Sequence, residues 1–310
     1  MRVFVAGGTG ALGRPLVRQL AEAGHHVTVL SRSAARVAAV GVAGVDAAVA
    51  DALDTTALQS AVVAARPDAV INQLTSLART ANPVALLSGL RRTSELRTLA
   101  SGTLAQAARD AGAQRLVAQS VSFMYRPAPG LRSEADPLWT DAGGQVGRLA
   151  RSLATLEERT LSEGLDGVVL RYGYFYGPGT YIAPDGAFVQ MIRHRMFPVP
   201  VGGGSIFPFV HVEDAARATV AALDGPTGVF NVVDDVPAPL SDWVPFLADL
   251  VGARPPRRLR RSMIRAAGSY ASYMLTGQAA VSNGRARGEL GWTPVFADWH
   301  DGFRAVLPGS

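Results

Sequence analysis

The sequence predicts a doubly wound α/β fold: an open parallel sheet covered by helices on both faces, with a smaller C-terminal substrate lobe. Three observations lead to it. Short β-branched and apolar runs alternate with helical periodicity through the first 175 residues, the pattern of βαβ units. A glycine-rich turn joins the first strand to the first helix. After Tyr176 the rhythm breaks into Gly- and Pro-rich stretches with more aromatic residues.

"RVFVAG" (2–7) is a buried strand by length and composition, and "GTGALGRPLVRQLAEAG" turns into a helix that ends at Gly24. "HHVTVLSRS" and "VDAAVADAL" read as strands two and three, and a short helix spans Thr55 to Ala65. "PDAVINQLT" is the fourth strand. A long helical region, 84–111, leads to the strand "RLVAQSV" (115–121). A helix over 145–163 leads to "GVVLRYGYF" (167–175). "VHVEDAARATVAALDG" returns to a helix, with His211 expected to cap it, and "GVFNVVDD" to a strand. The expected division is a sheet domain, 1–175 plus 206–235, and a discontinuous substrate lobe, 176–205 plus 236–310.

The chain has 310 residues, 48% of them hydrophobic, which is ordinary globular composition. It contains no cysteine, which excludes disulfides and thiol nucleophiles. All 30 basic residues are arginine, so no catalytic lysine exists. No apolar run approaches the roughly 18 residues of a membrane span, and the N-terminal run is too short for a signal peptide. A cytoplasmic protein without membrane or nucleic-acid partners is expected. The basic run "RPPRRLRRSMIR" (254–265) reads as a solvated face or a contact to a phosphorylated ligand. The five histidines and scattered acids show no metal-ligand spacing.

Gly7, Gly10 and Gly13 form G-x-x-G-x-x-G directly after strand one, where a helix opens. Glycine permits the tight turn and the close approach of a pyrophosphate, and the helix N-terminus supplies amide donors. This is the Rossmann-type arrangement for a dinucleotide. At the end of strand two an NAD-specific chain would carry an acidic residue for the ribose hydroxyl. Here Ser31 and Arg32 stand there, with Arg36 one turn on, which suits the 2′-phosphate of NADPH/NADP+.

With these motifs in place, the chain resembles an extended short-chain dehydrogenase/reductase of the NAD-dependent epimerase/dehydratase superfamily, in an atypical branch. "FVAGGTGALG" resembles the family's glycine motif and adds Gly8, Thr9, Ala11 and Leu12 to the cofactor site. Asp51 and Ala52 resemble its adenine-contacting pair after strand three. "INQLTS" makes Gln73, Leu74 and Thr75 cofactor neighbours. "RLVAQSVSFMY" resembles the family's strand five, which implies a cofactor neighbour at Ser120 and a catalytic hydroxyl on the substrate oxygen at Ser122. "LRYGYFYGPG" resembles the strand-six motif beside the nicotinamide, with Tyr172, Gly173 and Phe175 as cofactor neighbours. Phe123, Met124, Tyr125, Tyr174 and Tyr181 are the expected substrate residues.

One stretch departs from the family. "QVGRLARSLATLEE" (145–158) lies where the family keeps Tyr-x-x-x-Lys, and has neither residue. Setting Glu157 at the family's following Glu puts Leu149 and Leu153 at the pair; setting Glu158 there puts Ala150 and Ala154. The resemblance then implies an NADPH-dependent ketoreductase without a Tyr/Lys general acid. Its substrate would be an apolar, polycyclic aromatic ketone, as in reductases that tailor angucycline-type polyketides for antibiotic biosynthesis. The proton would come from Ser122, from a spare hydroxyl of Tyr125, Tyr172, Tyr174 or Tyr181, or from a phenol on the substrate. A nucleotide-sugar epimerase or dehydratase and a non-catalytic NADP(H) sensor are the alternatives. The chain is expected to be a monomer or homodimer.

Overall fold

The computed structural model describes residues 1–77, 83–266 and 268–307. The first half runs β1 (Arg2–Ala6), α1 (Gly13–Glu22), β2 (His26–Ser31), α2 (Ala34–Ala38), β3 (Asp46–Val49), α3 (Thr55–Ala65), β4 (Ala69–Asn72) and α4 (Pro83–Glu95). A π turn (Leu96–Ala100) carries α4 into α5 (Ser101–Asp110), followed by β5 (Arg115–Val121), α6 (Gly144–Thr160) and β6 (Asp166–Tyr172). The second half runs β7 (Tyr174–Tyr176), α7 (Ala187–Arg193), β8 (Val199–Pro200), β9 (Ile206–Phe207), β10 (Phe209–His211), α8 (Val212–Ala221) and β11 (Gly228–Val232). Then come β12 (Ala238–Pro239), α9 (Leu240–Leu250), β13 (Arg258–Leu259), α10 (Arg261–Ala266), α11 (Ser269–Thr276), α12 (Gly284–Glu289) and α13 (Trp299–Val306).

Seven strands form one parallel sheet in the order β11-β6-β5-β4-β1-β2-β3. The order reverses beside β1, which makes the sheet doubly wound and opens a crevice at the carboxyl ends of its strands. Both faces are buried. On one, Leu16, Val17 and Leu20 of α1 and Ala215, Ala216 and Ala218 of α8 meet Val3, Val5 and Val29. On the other, Leu58 and Val62 of α3 and Leu104, Ala107 and Ala108 of α5 meet Phe4 and Val70. Local chemistry sets the helix starts. Asp54 accepts the Ala57 N–H ahead of α3, and His211 Nδ1 accepts the Glu213 N–H ahead of α8, the capping role its sequence position predicts.

The expected single strand 167–175 is divided. At Gly173 a side chain would come within 2.5 Å of the Pro208 carbonyl, so only glycine lets the chain leave the sheet there. β7 then pairs with β10 in a separate two-stranded ribbon. That turn aims the segment after Gly173 at the lobe.

Outside the seven-stranded sheet a second core encloses Tyr176, Trp243, Trp299 and Phe303 of the expected lobe together with Phe207 and Phe209, which are expected in the sheet domain. A clamp ties it to the sheet. Asp214 of α8, wholly buried, accepts the N–H groups of Val295 and Phe296 at 3.0 Å each and pairs with Arg217, while Trp292 Nε1 donates to the Asp214 carbonyl. Among the described residues no helix is long and apolar enough to cross a membrane, and no cluster of His, Asp and Glu is placed to hold a metal ion.

Candidate active site

The glycine turn packs as a dinucleotide turn must. A Cβ on Gly7 would meet the Gln73 carbonyl at 2.5 Å, and one on Gly13 the Gly7 carbonyl at 2.2 Å, whereas Gly10 is exposed. α1 starts with no side-chain cap and no acidic residue in its first turn, which leaves its N-terminal end receptive to an anion. Thr9 and Ala11 are half-buried and Gly8 and Leu12 buried beneath the turn. These residues fit the pyrophosphate of a dinucleotide.

Ser31 closes β2, its Oγ accepting the Ser33 N–H at 3.3 Å. Arg32 and Arg36 are exposed beyond it, and neither pairs with a carboxylate among the described residues. Asp51, next to buried Ala52, is already occupied: Oδ1 accepts the Leu53 N–H and Oδ2 lies 3.5 Å from Arg92. At the end of β4, Gln73 is buried, Leu74 half-buried and Thr75 exposed.

Tyr125 and Tyr172 depart from the spare hydroxyls expected of them, and the Ser120 hydroxyl is engaged as well. Ser120 Oγ donates to Glu157 at 2.6 Å within a buried chain of hydrogen bonds. Arg171 grips Glu157 through Nε at 2.9 Å and Nη2 at 2.7 Å, and donates to the Tyr125 hydroxyl at 2.9 Å. The Tyr125 hydroxyl in turn donates to Asn231 at 2.6 Å. Tyr172 lies in the core under the sheet, its hydroxyl 2.6 Å from Thr219 Oγ1 and accepting from Gln73 at 3.4 Å. Phe175 packs against the Tyr172 ring. Neither of these two tyrosine hydroxyls is spare. Glu157 and Arg171 both lie in stretches the sequence singles out, but nothing in either stretch says that they pair, because only the fold brings α6 and β6 together.

The remaining substrate candidates converge. Ser122 Oγ is fully buried and has no hydrogen-bond partner. It lines a cavity of about 10 Å³ with Phe123, Tyr125, Arg132, Tyr273 and Gln278, room for a single water. Phe123 stacks on Tyr174 with ring centres 3.9 Å apart. The Tyr174 hydroxyl accepts from Gln278 Nε2 at 2.8 Å, and the Tyr273 hydroxyl donates to the Phe123 carbonyl at 2.7 Å. Tyr181 stacks on Phe188, and Met124 packs toward α6. Tyr270 and Phe123 pack at the edge of the apolar cluster that holds Tyr273. Tyr174, Tyr181 and Tyr270 are each half-buried. Tyr270, Tyr273 and Gln278 are additions to the expected set. The i, i+3 spacing in "SYASYML" places the two tyrosines on one helix face, a signal the sequence carries.

The wall opposite is α6. Leu149, Ala150 and Leu153 are buried in an apolar cluster with Val121, Tyr273 and, at its edge, Phe123, Ala154 and Tyr270. No tyrosine or lysine projects from this helix. Burial raises the hydroxyl pKa of Tyr174, Tyr181 and Tyr273, and pushes Tyr270 up to about 12 despite the nearby Arg97. A general acid works best near the operating pH, and these four are all displaced away from it.

The profile of the NAD dependent epimerase/dehydratase family matches residues 3–232. The chain belongs to this family. It is 43% identical over 308 residues to a Streptomyces sp protein named 3-diazoavenalumate denitrifying reductase, covering 97% of this chain and 99% of that one. An uncharacterized Schizosaccharomyces pombe protein is 27% identical over 262 residues, 82% of this chain and 80% of that one. Among solved structures, a Thermus thermophilus UDP-glucose 4-epimerase in complex with NAD superposes with a TM-score of 0.76 at 23% identity, covering 99% of this chain and 98% of that one. The Streptomyces venezuelae dTDP-glucose 4,6-dehydratase DesIV reaches 0.77 at 21% identity, covering 99% and 96%. At these identities the two structures establish the family's fold.

Proposed function

We propose that this protein is a reductase that uses NADPH to replace the diazo group of an aromatic compound with hydrogen. The observation that carries the reading is the apolar face of α6, Leu149, Ala150 and Leu153, in a chain without lysine. Reducing a ketone takes a hydride and a proton. Reducing an arenediazonium takes a hydride alone: when bound, the reduced nicotinamide supplies the electron pair of the new C–H bond, and dinitrogen leaves with the pair of the C–N bond. No proton is consumed, so a site without a tuned acid suffices. The 43% identity to a denitrifying reductase supports the same chemistry.

This chain's residues would then bind, orient and exclude water. The turn at Gly7–Gly13 and the N-terminus of α1 would hold the pyrophosphate. The exposed Arg32 and Arg36 would take the 2′-phosphate, which supports NADPH over NADH. Phe123, Tyr181 and Tyr270 offer aromatic surface to a flat substrate, and the apolar α6 wall keeps water from a reactive carbon.

Ketone reduction is the second reading, favoured by Ser122, whose partnerless buried hydroxyl suits a developing oxyanion. One experiment separates the two. NADPH deuterated at C4 is incubated with 4-carboxybenzenediazonium and with aromatic ketones carrying a free or methylated neighbouring phenol. The expected result is one dinitrogen per NADPH consumed, with deuterium on the carbon that bore nitrogen. Turnover of ketones without dinitrogen release would establish the ketoreductase. Tight NADPH binding with no turnover of either class would point to a sensor.

A further inference from the structure

We propose that Arg97 receives a carboxylate on the substrate, making the protein selective for aryl acids. Arg97 sits in the π turn between α4 and α5, only 7% exposed. Single π turns within helices are frequent at functional sites. Thr93, Arg97 and Ser101 recur every four residues and are all buried, while Leu96 and Ala100 beside them face the sheet core. The π turn packs on α6, and so does α11, which brings Tyr270. Leu90, seven residues before Arg97, touches the same apolar cluster as Tyr270.

Arg97 has no carboxylate within ion-pairing distance among the described residues. Glu157, its electrostatic neighbour, is already held by Ser120 and by both arms of Arg171. A buried guanidinium without a counter-ion is costly, and burial pulls its pKa down to about 10. An incoming anion would relieve that cost. The cofactor's phosphates are not that anion, because the glycine turn and α1 belong to the opposite face of the sheet from α4 and α5. Tyr270, carried to the same side of α6 by α11, is the neighbour of Arg97 that is not already spent, so an aromatic ring can lie against Tyr270 with its carboxylate on Arg97. The inference rests on the reading of this cleft as the substrate site, and it extends that reading to a substrate class.

Calorimetric titration with cinnamate and methyl cinnamate tests it, using protein saturated with NADP+ so that nothing is reduced. Wild type is expected to bind the acid at least about tenfold more tightly than the ester. Arg97→Met should remove that preference, and Arg97→Lys should retain part of it. Equal or undetectable binding of the two probes by wild type would overturn the proposal without reliance on any variant. So would an Arg97→Met protein that keeps the preference, or one that loses NADP+ affinity instead. Because neither probe turns over, a protein that prefers the acid but releases no dinitrogen would keep this inference and lose the reaction.

Discussion

Two buried sites show how burial turns a side chain into a stability determinant. Glu157 and Arg171 form a two-armed ion pair out of water, joined to Ser120 and Tyr125. Removing one partner strands the other charge. Arg171→Met is expected to cost about 3 kcal/mol or more in urea unfolding, and Arg171→Met with Glu157→Leu to recover much of it. His211 is the second. Burial holds its pKa down to about 4, below the ordinary 6.5, with Arg217 adding to the depression and Glu213 opposing it. The unfolded chain takes up a proton near pH 6.5 and the folded chain resists until about 4. Its stability contribution is therefore intact above pH 6.5 and is lost as pH falls from there toward 4, with a slope of at most about 1.4 kcal/mol per pH unit. His211→Asn keeps a cap acceptor and should flatten that slope in unfolding curves across this window. At the surface, Arg32→Asp is expected to weaken NADPH binding by tenfold or more and leave NADH nearly unchanged; equal losses in a fluorescence titration would remove Arg32 from the 2′-phosphate site.

At the scale of elements, α6 and the β1–α1 turn behave in opposite ways. The turn was legible because its demands are local: three glycines at fixed spacing, two of them, Gly7 and Gly13, with backbone where a Cβ would go. Gly13→Ala should therefore abolish cofactor binding while far-ultraviolet circular dichroism changes little. α6 was legible as a helix, and its lack of a tyrosine or lysine could be read directly. What its face touches could not be read, because Tyr270 and Tyr273 come from α11, more than a hundred residues away. Inserting a lysine there is expected to fail. Leu153 is wholly buried, and Leu153→Lys should cost several kcal/mol in denaturant unfolding and yield no added turnover. The strand read as 167–175 divides for a similar reason. Gly173 is visible in the sequence, but the Pro208 carbonyl that makes glycine obligatory there is not.

Across the whole molecule, the sheet and the lobe are locked by one buried carboxylate. Asp214 receives two backbone donors from the segment after Trp292 and pairs with Arg217. Asp214→Ala should destabilise the protein by about 3 kcal/mol and open the chain to proteolysis after residue 290. The sequence by itself determined the alternation of strands and helices, the glycine turn, the arginines after β2 and the absence of lysine. Each depends on residue identity and short-range spacing. Only the tertiary structure decided which hydroxyls are spent, that Glu157 is neutralised by Arg171, and that Arg97 is buried without a carboxylate of its own among the described residues. A pairing or an orphaned charge is a property of segments distant in the chain that packing brings together, and burial then fixes what each group can do.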